Sequence, residues 1–232
     1  MNFLELIFIF PLRYLMNLVF EGSIAFTGNI GVSILILSIV VNTSLLPLYY
    51  LAERWQNRER EIQKSMAPGL LAIKGQYQGE ERYKRTAELY RTFNYHPVYS
   101  LRTSFGFLIQ VPFFIAAYTL LSANPRLLGV QFLFLDNLGV ADGIVAIGTW
   151  TLNLMPLLMT AFNLLASYVY ARDFTLREKV KLVLIAIVFL ILLYNSASGL
   201  VLYWTLNNIY SLAKNLIHHP VRIREGAQPC RP

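Results

Sequence analysis

The chain has 232 residues, 56% of them hydrophobic and 14% charged, with a net charge of +7. Soluble domains carry about 25% charged residues, so this composition excludes an ordinary soluble domain and points to a membrane protein with room for one domain. The Lys and Arg residues stand between and beside apolar runs, which reads as an orientation signal and not as a specific nucleic-acid surface, and a single cysteine, Cys230, excludes an intramolecular disulfide or a cysteine metal cluster.

Residues 1–27 read as an N-terminal interfacial segment. Met1–Phe10 has no basic n-region, Glu5 interrupts it, and no A-x-A site follows, so it does not read as a cleavable signal. Pro11 breaks the first apolar stretch. Leu12, Leu15, Met16, Val19 and Phe20 then recur at helical spacing, with Arg13 and Asn17 on another face. That pattern predicts a helix lying in the membrane interface. A short first transmembrane helix is the alternative.

Residues 28–217 read as a core of five membrane-crossing helices, at 30–51, 104–123, 150–170, 180–195 and 199–217. Pro47, Pro112 and Pro156 fall inside apolar segments, which membrane helices tolerate when neighbours satisfy the freed carbonyl. Asn195–Gly199 predicts a tight turn between the last two. No internal repeat is visible, which argues against an inverted-repeat transporter. The expected fold is thus an all-α polytopic membrane protein.

Between the first two spans, residues 52–103 predict a cytoplasmic helical hairpin. Residues 53–66 place opposite charges at helical neighbour spacing, and Ile62, Met66, Leu70 and Ile73 form an apolar face. Pro68 is expected to kink or restart this helix. A turn near Gly75–Gly79 leads into a second helix, about 80–94, with Tyr83, Ala87 and Tyr90 on one face. Such a hairpin is either a solvated spacer or a docking surface. Eighteen of the twenty Lys and Arg fall in 52–103, in 171–181, or at the last helix end and the 218–232 tail; only Arg13 and Arg126 fall on the other side. The positive-inside rule then puts the hairpin and C-terminus in the cytoplasm and the N-terminus outside.

Polar residues inside the spans form three faces: Ser38, Asn42 and Tyr49; Thr160, Asn163 and Ser167; and Trp204, Asn208, Ser211 and Asn215. Gln110 stands alone in span two. Polar groups at membrane depth mark either a functional groove or hydrogen bonds between helices. Enzyme chemistry finds no support. His96, His218 and His219 lack metal-ligand spacing, Asp136 and Asp142 have no nucleophile or base beside them, and no phosphate-binding glycine loop is present.

Several motifs, in order, resemble the YidC/Oxa/Alb family of membrane protein insertases. They are Leu45-Leu46-Pro47-Leu48, Pro68 and His96-Pro97, Leu108-Ile109-Gln110-Val111-Pro112-Phe113-Phe114, Phe132-Leu133-Phe134-Leu135-Asp136, Met155-Pro156-Leu157-Leu158-Met159, and Gly199–Trp204 with Asn207-Asn208. The resemblance covers about residues 10–217. It implies a bacterial inner-membrane insertase or chaperone that needs no cofactor and handles nascent membrane proteins, with ribosome or translocon contacts through the hairpin and tail. It implies a hydrophilic, cytoplasm-open groove, here lined by Ser38, Asn42, Gln110, Asn163, Ser167, Tyr203, Trp204 and Asn208. The family's groove carries an arginine in the first span; Asn42 stands at that position here. Two other classes stay open: a divergent paralogue acting as an assembly scaffold for one membrane partner, and a small transporter. The transporter would want ionisable residues within the spans, and none of the five has one away from its ends.

Overall fold

A computed structural model describes residues 9–99, 105–147, 150–172 and 174–218. The expected 218–232 tail, with Cys230, lies almost wholly outside them, as does Arg102. The described residues are mostly helical: α1 (Phe10–Thr27), α2 (Ile30–Gln76), α3 (Gly79–Thr92), α4 (Phe105–Leu121), α5 (Leu154–Tyr170), α6 (Leu176–Leu193) and α7 (Ser198–His218). The chain divides into two compact units. One holds residues up to Thr43 and from Ile115 onward; the other is Ser44–Phe114.

In the first unit, α1 starts with Pro11 in its first turn and ends at Gly28, whose φ of 65° is the left-handed cap conformation. It buries Met16, Phe20 and Ser23 and leaves Phe10, Tyr14, Leu15, Leu18 and Phe26 exposed. The Asn29 side chain accepts from the Val32 N–H at 3.1 Å, satisfying one orphan donor at the start of α2. Glycine is required at position 31, because a Cβ there would overlap the Phe132 ring. Ile34, Leu37, Leu121, Leu127, Leu138, Met155, Met159, Leu200 and Tyr203 form the buried core.

The segment between α4 and α5 caps this core. A 3-10 turn at Pro125–Leu127 is tied to α1 by the Arg126–Glu21 ion pair. The N–H groups of Ser198 and Gly199, at the start of α7, donate to the carbonyls of Val140 and Leu138 at 2.7 and 2.8 Å. A loop backbone thus supplies partners that a helix start otherwise lacks. Two three-residue strands, β1 (Val145–Ile147) and β2 (Trp150–Leu152), pair antiparallel.

The described residues remain mostly helical, but this small hairpin moves the start of the expected third span. Residues 150–152 are strand, and the helix starts at Leu154. The cause is local. Asp142 Oδ2 accepts from the N–H groups of Leu154 and Met155 at 2.5 and 3.1 Å, which fixes the helix start there. Asn153 then bridges outward: its Nδ2 donates to the Tyr194 carbonyl at 2.8 Å and its Oδ1 accepts from Gly143 at 2.9 Å. At the other end of the pair, Thr175 and Glu178 form a reciprocal capping box that starts α6.

In the second unit, α2 runs unbroken through Pro47 and Pro68. The expected restart at Pro68 does not occur, and the first-span segment and the hairpin's first arm are one helix. Ile62, Leu70 and Ile73 are half-buried and Met66 is fully buried, as the apolar face required. The returning helix α3 buries no residue, and Tyr83 is exposed, which corrects its expected place on the inner face. Exposed i,i+4 pairs, Glu80–Lys84 at 2.9 Å and Glu81–Arg85 at 3.1 Å, support α3.

One polar junction holds this unit. Glu59 is 1% exposed. Its Oε1 accepts from the Tyr95 hydroxyl at 2.6 Å and from Gln63 Nε2 at 2.9 Å. The Tyr95 ring also meets Tyr90 at a tilt and Tyr99 edge-on, with centroids 5.4 and 6.0 Å away. Burial, and then the Glu59 bond, push the Tyr95 hydroxyl up to about 12. The bond joins α2 to the segment leaving α3 across 36 positions of sequence. Tyr95→Phe is expected to speed hydrogen exchange in 56–66 and 86–95 by about tenfold, the value of a hydrogen bond to a carboxylate, with exchange in α5 and α7 unchanged. Exchange by mass spectrometry on the purified chain checks this; unaltered exchange at 56–66 would show that the junction is not what holds the hairpin.

Candidate functional site

Helix α7 is the polar centre of the first unit. Its neighbouring asparagines Asn207 and Asn208 point about 100° apart, as helix geometry demands, and serve different partners. Toward α2, Asn207 Oδ1 accepts two hydrogen bonds: from Ser38 Oγ at 2.7 Å and from Asn42 Nδ2 at 2.6 Å. Asn42 Nδ2 gives its second proton to the Ser38 carbonyl at 2.8 Å. All three residues are buried, with Ser38 1% and Asn42 4% exposed. One turn further along, the Thr43 and Tyr210 hydroxyls meet at 3.2 Å.

Toward α5, Asn208 Oδ1 accepts from Asn163 Nδ2 at 3.1 Å, and Asn208 Nδ2 donates to the Met159 carbonyl at 3.2 Å. Two turns on, Asn215 Nδ2 donates to the Ala166 carbonyl at 3.2 Å. Trp204 is buried and stacks on Phe189 of α6, with centroids 5.1 Å apart and planes 16° from parallel. Tyr203 is buried one position before it.

Of the residues expected to line a groove, the structure thus brings Ser38 and Asn42 together, and Asn163 with Asn208. Tyr203 and Trp204 lie in the same helix as Asn208, buried. Ser167 is half-buried in α5, one helical turn beyond Asn163. Gln110 is half-buried in α4, in the second unit. Sequence reasoning missed Asn207, which accepts both bonds from α2. The signal was available: with Asn207 and Asn208 adjacent in one helix, each must face a different neighbour.

The arrangement is neutral. The amide of Asn42 has two N–H groups, and both are used. An arginine at that position would bring five donors and a fixed charge. The two acceptors present here, the Ser38 carbonyl and Asn207 Oδ1, cannot satisfy it, so an arginine would need water or an anion beside it. Among the described residues, no three His, Cys, Asp or Glu side chains converge as metal ligands do.

The seam between α2 and α7 makes a stability prediction. Asn42→Ala and Asn207→Ala are each expected to destabilise the chain by about 1 kcal/mol, in the range found for hydrogen bonds between membrane helices. The double variant should lose little more than either alone. Unfolding in mild detergent measures the cycle; simple additivity would mean that the two side chains do not interact.

A family model described as 60Kd inner membrane protein matches residues 23–224. The membrane protein insertase YidC of Herminiimonas arsenicoxydans is 28% identical over 194 residues, covering 81% of this chain and 33% of that protein. The YidC of Treponema denticola is 27% identical over 226 residues, 90% of this chain and 38% of its own length. The membrane protein insertase YidC 1 of Bacillus cereus, 24% identical over 234 residues, is matched over 83% of its length. The chain therefore spans about a third of the length of the first two relatives. A crystal structure described as an active YidC insertase with its first transmembrane domain resolved superposes with a TM-score of 0.58 at 21% identity. It covers 92% of this chain and 46% of that one, and at this identity it speaks for the fold.

Proposed function

We propose that this chain, which belongs to the 60Kd inner membrane protein family, is a membrane protein insertase or chaperone of the bacterial inner membrane. It assists nascent membrane proteins as their polar segments enter the bilayer. The observation that carries the reading is the polar seam on α7: side chains that can hydrogen-bond a client are buried inside an apolar bundle whose exposed faces are themselves apolar. On this reading α2, α4, α5, α6 and α7 are the five crossings, and α1 lies in the interface. Among the described residues, helix α2 alone is long and apolar enough to cross by length and composition, and α4 and α5 carry shorter apolar runs. At 17 residues and 1.5 Å per residue, α5 is about 25 Å long. That is a little short of the roughly 30 Å hydrocarbon core, and local thinning accommodates such a mismatch at modest cost.

A client segment would enter between α2, α5 and α7, exchanging the bonds of Ser38, Asn42, Asn163 and Asn208 for bonds to its own backbone or side chains. Ser167, Tyr203 and Trp204 complete the proposed lining. Because Asn42 carries no charge, this groove selects clients by hydrogen bonding and not by an acidic tail. The hairpin of α2 and α3 and the C-terminal tail face the cytoplasm, where ribosome or translocon would dock.

The second reading, an assembly scaffold for one membrane partner, is favoured by the hydrogen bonds that already join Ser38, Asn42 and Asn207 across the seam with no client present. One experiment separates the readings and a second tests the topology. First, Asn42→Arg should raise insertion of acidic-tailed clients several-fold, since a charge in a low-dielectric groove acts strongly, while Asn42→Leu should lower insertion of all clients. Insertion into vesicles containing the purified variants measures this; wild-type insertion by Asn42→Leu favours the scaffold. Second, with Cys230→Ser in place, a cysteine introduced at Gln78 should be labelled only from the cytoplasmic side and one at Asp136 only from outside. The reverse pattern would invert the topology.

A further inference from the structure

A cleft of about 310 Å3 lies beside α1 in the first unit. Phe10, Arg13, Tyr14 and Asn17 line it from α1, with Thr119 and Leu120 at the end of α4 among those opposite. The α1 residues recur at i, i+3, i+4 and i+7, so they form one stripe on that helix. Two basic residues occupy this end of the unit. Arg126 is neutralised by Glu21. Arg13 is exposed, and among the described residues it has no acidic partner. The side chains of Tyr14 and Asn17 likewise make no hydrogen bond among the described residues, whereas the Thr119 hydroxyl is spent on the Ala116 carbonyl at 3.0 Å. The cleft therefore presents one guanidinium, one phenol and one amide, all free to donate, above an apolar floor of Phe10 and Leu120.

We propose that this cleft binds the phosphodiester headgroup of an anionic phospholipid from the adjoining leaflet. A guanidinium matches phosphate oxygens with paired N–H donors, and Tyr14 and Asn17 supply further donors. The apolar surroundings decide between a lipid and a free anion. Phe10, Tyr14, Leu15 and Leu18 are each more than half exposed on the same helix. They offer acyl chains a surface that inorganic phosphate cannot use. A single exposed arginine holds a soluble anion weakly, but a lipid is already concentrated at the interface where α1 lies. The lipid would anchor α1 in the headgroup layer and hold the outer end of α4 beside it. This rests on the reading of α1 as an interfacial helix.

Native mass spectrometry on the full chain, purified in detergent and supplied with phosphatidylglycerol, phosphatidylcholine or inorganic phosphate, tests it. Wild type should retain one phosphatidylglycerol in preference to phosphatidylcholine. Arg13→Ala should cut that retention about fivefold, close to what one such charge contributes near a lipid surface. Arg13→Lys should keep part of it, and Arg172→Ala, on the far loop, should change nothing. Millimolar inorganic phosphate should not displace the lipid. Equal retention by wild type and Arg13→Ala overturns the proposal, as does equal retention of phosphatidylcholine. Displacement by inorganic phosphate would mark a free-anion site and overturn it as well. The readout does not use insertion, so a chain that inserts no client yet holds this lipid through Arg13 would sink the insertase reading alone.

Discussion

A polar group inside an apolar bundle in lipid has no water to fall back on, and every arrangement in the first unit follows from that constraint. The outward faces of α5 and α6 show Leu165, Tyr168, Val188 and Ile191 to the surroundings. Inside the unit, α2 and α7 bury serine, threonine and asparagine among their apolar side chains. This inverts the pattern of a water-soluble bundle, and it works only if the inward groups pair among themselves. Asn207 is the hub, because one carbonyl oxygen takes the free protons of two side chains from α2. Asn208, turned toward α5, repeats the device with Asn163. Helix α7 is thus tied on two sides by neutral hydrogen bonds, each worth about 1 kcal/mol. Such bonds are strong enough to set which faces meet. On the proposed function they are also weak enough to be exchanged for a client's.

The neutral Asn42 explains why the seam can close. Its two protons meet two acceptors, and no charge is left to solvate. An arginine in its place would bring a fixed charge and five donors that the two acceptors cannot satisfy. On the proposed function, a client would exchange the Asn207 bonds on entering.

Much of this was legible in the sequence. Helical spacing from Leu12 to Phe20 located α1, and the apolar face of Ile62, Met66, Leu70 and Ile73 was the one buried in the hairpin. The Gly-containing turn at 75–79 separates the two arms as read. What escaped was everything set by partners distant in sequence. Pro68 signals a break, yet α2 continues through it, because a proline on an exposed helix face loses only one backbone bond. Trp150–Leu152 continues the apolar run of α5, yet it is strand, because Asp142 starts the helix at Leu154 from twelve positions away. Tyr83 matched the inner periodicity of α3 but α3 buries nothing. Asn207 was visible as a polar residue, but its role as the shared acceptor depends on which face α2 presents.

The central claim is that the α2–α7 seam is closed at rest and must open for a client. In a chain with Cys230→Ser, the pair Asn42→Cys and Asn207→Cys can be joined by a short reducible thiol cross-linker, since the native side chains already touch. Insertion of a membrane client into vesicles is then measured before and after reduction. The account predicts that cross-linking stops insertion and that reduction restores it. Undiminished insertion by the fully cross-linked chain would contradict it, and the seam would then be structural glue with the client's path elsewhere.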